Sequence, residues 1–208
     1  MFTRLMVATL LLAALMPVAS AADEAVKGDK AFTVYMGYRD GGRFSDSDSE
    51  EAIELNGSAA LSVALDIGID GSRAYQVFLS QQRTDLDFKD TPSATGESIS
   101  MDVTYLHVGG TYFWGGERGH GPYAVGGLGV TYYAPGSGYD SELRPSLNLG
   151  IGYEQPLNKQ FSLRFEARGY ATFVNSSGGF FCSGGCVVSI SADVVGQGEV
   201  MAGVTARF

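Results

Sequence analysis

Between Glu142 and Glu154 the sequence ELRPSLNLGIGYE alternates without a break. Leu143, Pro145, Leu147, Leu149, Ile151 and Tyr153 fall on one side, and Glu142, Arg144, Ser146, Asn148, Gly150, Gly152 and Glu154 on the other. Only an extended strand sends successive side chains to opposite faces, so a period of two over this whole stretch predicts a strand and excludes an amphipathic helix. The pattern returns after a short QPLNK turn, where Phe161, Leu163, Phe165 and Phe173 alternate with Ser162, Arg164, Glu166, Arg168 and Tyr170. It returns again near the end, where Val194, Val200, Ala202 and Val204 oppose Gln197, Glu199, Thr205 and Arg207. Earlier segments behave alike: Phe32, Val34, Met36 and Tyr38 against Thr33, Tyr35 and Arg39; Leu61, Val63, Leu65 and Ile67 against Glu54, Ser62 and Asp66; Tyr75, Val77 and Leu79 against Gln76, Ser80 and Gln82. Two more segments, Ile99 to Trp114 and Pro122 to Ala134, offer apolar residues on both faces. A bulge in either would explain this, and their inside and outside stay open.

That makes eight strands and an all-β chain. Charged residues are only 18% and glycine is 29 of 208, about twice the usual ~7%, as closely packed strands require. The strands run ~12 residues, beyond the ~5–6 of soluble sheets and enough for the 9–11 tilted residues of a spanning strand. Their connections alternate. Segments 69–72, 115–121 and 155–160 are short, whereas 40–51, 85–98, 134–141 and 175–187 are mostly longer and rich in Gly, Ser and Asp. Short turns at one end and long loops at the other are the layout of a transmembrane β-barrel.

A secreted soluble barrel with its apolar face inward shows the same alternation. The polar face decides. It carries Arg39, Glu54, Arg144, Glu154, Arg164, Glu166, Arg168 and Glu199, while the whole chain has four lysines. A soluble exterior favours lysine; arginine and glutamate in register on neighbouring strands suit an enclosed lumen. The expectation is an eight-stranded antiparallel transmembrane barrel, apolar outside, with a polar Arg/Glu-filled lumen. Glu166, Arg168 and Glu199 should group at mid-height, Arg39 should meet Glu54 toward the outer end, and Glu154 should meet Arg164 toward the periplasmic end. Such a network plugs the lumen, or gates a narrow channel by exchanging partners.

Residues 1–21 read as a secretory signal peptide: Arg4, an uncharged apolar run from Leu5 to Pro17, and the Ala19-Ser20-Ala21 cleavage site. Residues 22–208 form one barrel domain. The two cysteines, Cys182 and Cys186, stand in FFCSGGC. An exported chain with a small turn between them predicts a disulfide at a loop tip, and two thiols without a nearby histidine make a poor metal site. The formal charge of −9 excludes nucleic acid as a partner. No catalytic residues are assigned. His107 is followed by Val108-Gly109-Gly110 with no hydroxyl or carboxylate beside it, and His120 lies in a GERGHG turn. Asp46, Asp48, Glu50 and Glu51 in one loop, and Asp85, Asp87, Asp90 and Glu97 in another, read as solvated loops, as divalent-cation contacts to lipopolysaccharide phosphates, or as ligands of a bound Ca²⁺. Their spacing is not that of an EF-hand. Phe180 and Phe181 beside the cysteines suit a partner surface or the headgroup layer.

The chain closes on Val200, Ala202, Val204, Ala206 and Phe208. This resembles the C-terminal signature of bacterial outer-membrane barrels, which ends on an aromatic residue read by the insertion machinery. Ala206 stands where a larger residue is common. PYAVGGLGVTYY, Pro122 to Tyr133, resembles the central Gly/Tyr strand of the small OmpA/OmpX/opacity-type barrel family, and the joint pattern covers the mature chain. The resemblance implies a monomer in the outer membrane of a Gram-negative bacterium, without cofactor or metal. Phe208 is then the assembly signal. The implied partners are outer-membrane lipid and lipopolysaccharide, the assembly machinery, and a host or surface ligand. The implied role is envelope structure and adhesin- or opacity-like surface interaction through the outer loops, with a narrow porin-like channel as the alternative.

Overall fold

The computed structural model describes residues 29–45, 52–88, 99–136, 140–174, 179–182, 186–189 and 194–208. For 43–45, 52–55, 86–88, 99, 179–182 and 186–189 the description is of the backbone alone. Residues 1–21, the loop acids Asp46, Asp48, Glu50, Glu51, Asp90 and Glu97, and the side chains of Glu54, Asp87, Phe180, Phe181, Cys182 and Cys186 lie outside it. Eight long strands close into a ring: β1 (Lys30–Gly41), β4 (Ser58–Gly68), β5 (Arg73–Phe88), β6 (Ile99–Phe113), β7 (Gly121–Pro135), β8 (Glu142–Pro156), β9 (Phe161–Phe173) and β12 (Val194–Arg207). Each pairs antiparallel with the next, and β12 returns to β1. Short strands β2 (Arg43–Ser45) and β3 (Ala52–Leu55) extend the first hairpin, and β3 also pairs with β5. Strands β10 (Gly179–Cys182) and β11 (Cys186–Ser189) form a separate ribbon in which Cys182 faces Cys186 in register.

The register sets the geometry of the ring. From Thr205 the pairing passes through Thr33, Ala64, Phe78, His107, Gly129, Ser146 and Thr172, and it arrives on β12 again at Val195, ten residues before its start. A stagger of ten over eight strands tilts them by about 40° and leaves an interior that side chains can fill.

Most outward positions are apolar and exposed, among them Met36, Leu61, Val108, Leu128, Leu149, Phe165 and Val200. Burial of this set against water is not available to the chain; a bilayer supplies it. The two ambiguous strands need no bulge, because both pair one-to-one along their length. On β6 the inward residues are Met101, Val103, Tyr105, His107, Thr111 and Phe113; on β7 they include Tyr123, Val125, Thr131 and Tyr133. Both ends of the lumen are thus partly apolar, which is why these strands look apolar on both faces. Two inward glycines make room for large neighbours. A side chain at Gly152 would run into the Tyr123 ring, and one at Gly203 would meet the Tyr35 ring.

The first periplasmic turn is organised by Asp70. Its Oδ1 accepts from the Ser72 amide at 2.9 Å and the Arg73 amide at 2.8 Å, and its Oδ2 accepts from Arg73 Nε at 2.7 Å. The Arg73 hydrogen bond, then the Ser72 amide, holds the Asp70 carboxyl below the usual carboxylate range. A depressed folded pKa contributes stability that is present above the unfolded value of ~3.9 and is lost as pH falls toward the folded one. Asp70→Asn should therefore unfold at lower urea concentration than the parent at pH 7, with the gap closing below about pH 4. A gap unchanged between pH 7 and pH 3 would show that the charge is not what organises the turn.

Candidate functional site: the barrel lumen

The polar faces of all eight strands converge on a lumen packed in three tiers. The lowest is centred on Arg164. Its Nε donates to Glu154 Oε2 at 2.7 Å and its Nη1 to Asp66 Oδ2 at 2.6 Å. Arg207 Nη2 donates to Glu154 Oε1 at 2.8 Å from the periplasmic rim, and Ser162 Oγ donates to the same oxygen. Phe113 and Tyr123 pack as a tilted pair with centroids 5.2 Å apart, and the Arg164 guanidinium lies 5.2 Å from the Tyr123 centroid.

In the middle tier Arg168 Nε donates to Glu166 Oε1 at 2.6 Å and Nη2 to Gln76 Oε1 at 3.0 Å. Its guanidinium sits 3.7 Å from the Phe78 centroid. The Tyr123 hydroxyl, at 2.9 Å, and the Tyr35 hydroxyl, at 3.3 Å, both donate to Glu166 Oε2. Gln76 Nε2 donates to Asp66 Oδ1 at 2.9 Å and so ties this tier to the one below. In the upper tier Arg39 Nη2 donates to Glu199 Oε2 at 2.7 Å and also to Ser80 Oγ. Tyr170 donates its hydroxyl to Glu199 Oε2 at 2.6 Å. The Arg39 guanidinium lies against the stacked Tyr105–Tyr170 pair, 4.7 and 4.8 Å from their centroids. Above it Val103, Tyr133 and Val195 are wholly buried.

Asp66, Glu154, Glu166 and Glu199 are thus offset by Arg39, Arg164, Arg168 and Arg207. Each acid has a cation or several donors, as a carboxylate in an enclosed site requires. These pairings bear on the expected groupings in three places. Arg39 binds Glu199, its direct partner across β1–β12; the side chain of Glu54, the expected partner, lies outside the described residues, and its backbone stands opposite Arg43 and Asp87 in the extended hairpin. Glu199 is also in register with Arg168, but Arg168 turns to Glu166 on its own strand. Arg144 is half-buried near the outer end and pairs with Glu142 at 2.7 Å, outside the three tiers. Asp66 and Arg207 were legible as polar-face residues but not as network members. Their proximity to Arg164 and Glu154 follows from the stagger of the ring, which no single strand displays.

His107 also differs. Its Nε2 lies 3.0 Å from Ser146 Oγ, two strands over on the same wall past Gly129, and its ring stacks on Tyr105 at 5.5 Å. A hydroxyl is therefore beside it in space, although none is beside it in sequence. Its Nδ1 has no hydrogen-bond partner among the described residues, so no acid orients the ring. Among the described residues no group of three or more His, Cys, Asp or Glu side chains could hold a metal ion.

A family model for the outer membrane protein beta-barrel domain matches residues 8–208. No curated protein matches the chain. Among solved structures it is similar to the outer membrane protein AlkL, with 14% identity, a TM-score of 0.58 and coverage of 93% of this chain and 97% of that one. It is similar to OprG from Pseudomonas aeruginosa, with 10% identity, a TM-score of 0.52 and coverage of 88% and 96%. It is also similar to Neisserial surface protein A, with 14% identity, a TM-score of 0.50 and coverage of 86% and 99%. At these identities the likeness is one of fold.

Proposed function

The chain belongs to the outer-membrane β-barrel family, and from that premise we propose that it is a non-conducting envelope protein whose contacts are made by its outer loops. The observation that carries this reading is the filled lumen. Arg39, Tyr35, Tyr105, Tyr123 and Tyr133 are fully enclosed, and the charged side chains between them are paired. An ion crossing the barrel would have to separate Arg164 from Asp66 and Glu154, then Arg168 from Glu166, then Arg39 from Glu199. Separating a buried pair leaves uncompensated charge in a confined space, at a cost of several kcal/mol for each.

The same proposal takes residues 1–21 as a signal peptide, a Gram-negative source, Cys182 and Cys186 as a disulfide, and Phe208 as the signal for assembly. The direct register of Cys182 with Cys186 supports the disulfide. Lipopolysaccharide, the assembly machinery and a surface or host ligand are the proposed partners, the barrel acts as a monomer, and it carries out no catalysis. In planar bilayers the folded protein should give no steady openings. Steady openings whose size changes in Glu199→Gln or Arg168→Gln would establish the narrow channel instead.

A further inference from the structure

The apolar belt of this barrel is not of even height. On β8 six outward residues, Tyr153, Ile151, Leu149, Leu147, Pro145 and Leu143, run without a charged or amide side chain between them. At ~3.3 Å per residue and a tilt of about 40° they span ~25 Å along the axis, the usual height of an outer-membrane belt. On β5 the outward residues are Tyr75, Val77 and Leu79 only, with exposed Arg73 below and exposed Gln81 above. These three span ~10 Å. Above Leu79, β5 presents Gln81, Arg83 and Asp85 outward, and neighbouring β6 presents Thr104, Asp102 and Ser100 above Leu106.

These polar residues are not simply higher up. The stagger of ten residues over eight strands assigns each residue a level on the axis. On that scale the periplasmic strand ends agree within about two residues. Gln81 lies level with Leu147, and Arg83 lies level with Pro145. One wall is therefore polar at a height where the other is apolar. Arg83 and Asp102 form an outward ion pair at 2.8 Å with side-chain exposures of 69% and 30%, in a place where hydrocarbon would leave both charges unsolvated.

We propose that the outer face of upper β5 and β6, made by Gln81, Arg83, Asp102 and Thr104, is a contact surface for lipid headgroups of the outer leaflet, which is thinned beside it. The headgroups descend to the level of Gln81 on this side and remain above Leu143 on the β8 side. Headgroups supply the donors, acceptors and charges that Arg83, Asp102 and Gln81 face, and the shortened belt below them matches a locally thinner hydrocarbon layer.

The test uses the full chain with Cys182→Ser and Cys186→Ser, folded in vesicles of 14-carbon phosphatidylcholine. Nitroxide labels at Gln81→Cys, Leu147→Cys, Thr104→Cys and Pro145→Cys report depth from collisions with oxygen and with a water-soluble nickel chelate. The proposal expects Gln81 and Thr104 at the headgroup and Leu147 and Pro145 in hydrocarbon, a separation of ~5–10 Å. Equal depth for Gln81 and Leu147 would overturn it. Labels at Tyr75→Cys and Tyr153→Cys on the lower rim should read equal depths; a large difference there would mean that the whole barrel leans, which would also overturn it. Where a labelled variant fails to fold, Trp at the same position quenched by brominated acyl chains gives the same comparison.

Discussion

Arg164→Ala should destabilise the barrel by ~3–5 kcal/mol. Among the described residues Arg164 is the one cation that touches both Asp66 and Glu154, and all three are enclosed. Its removal leaves two carboxylates in a small space, with Arg207 reaching only Glu154 from the rim. Arg83→Ala provides the contrast. Its partner Asp102 is on the outer surface and Arg83 is mostly exposed, so the change should cost no more than about 1 kcal/mol. Urea unfolding in vesicles compares the two. Equal midpoints would mean that water reaches the lower tier freely.

Leu149→Arg should cost ~2–4 kcal/mol, the depth-dependent penalty for a cation on the lipid face near the midplane. Leu149 is 67% exposed on the outer wall, and no acid among the described outward residues of β8 is there to pair it. The adjacent Asn148 points the other way, is 2% exposed and accepts from Arg168 Nη1 at 3.4 Å. Asn148→Leu keeps the γ-branched shape but removes that acceptor, so its effect should be smaller and independent of acyl-chain length. The Leu149→Arg penalty should fall in bilayers thin enough to let the arginine reach the interface. A cost that does not depend on lipid would place Leu149 somewhere other than the membrane face.

The strands whose two faces differ in chemistry were readable one at a time. On β8 and β9 every outward position from Leu143 to Tyr153 and from Phe161 to Phe173 is apolar or glycine, and their inward positions carry Asn148, Glu154, Arg164, Glu166 and Arg168. On β6 and β7 the inward set includes Met101, Val103, Phe113 and Val125. There the local pattern says nothing about which face meets lipid. The choice of ion-pair partner is of another kind. Arg39 stands in register with Glu199 because the last strand closes on the first, and Asp66 reaches Arg164 from β4 to β9 across the lumen. Both depend on the closure and stagger of the whole ring, to which the pattern of neighbouring segments is blind. The same blindness applies to His107, whose nearest hydroxyl belongs to Ser146, two strands away.

That the apolar face of a closed ring meets lipid while the charged face fills its interior is tested most directly along β8. Spin labels placed one at a time along β8, in vesicles, should show acyl-chain contact at Leu143, Pro145, Leu147, Leu149, Ile151 and Tyr153, and immobilised, lipid-protected spectra at Ser146 and Asn148. Contact at the even positions, or at neither set, would contradict the outer-membrane barrel described here.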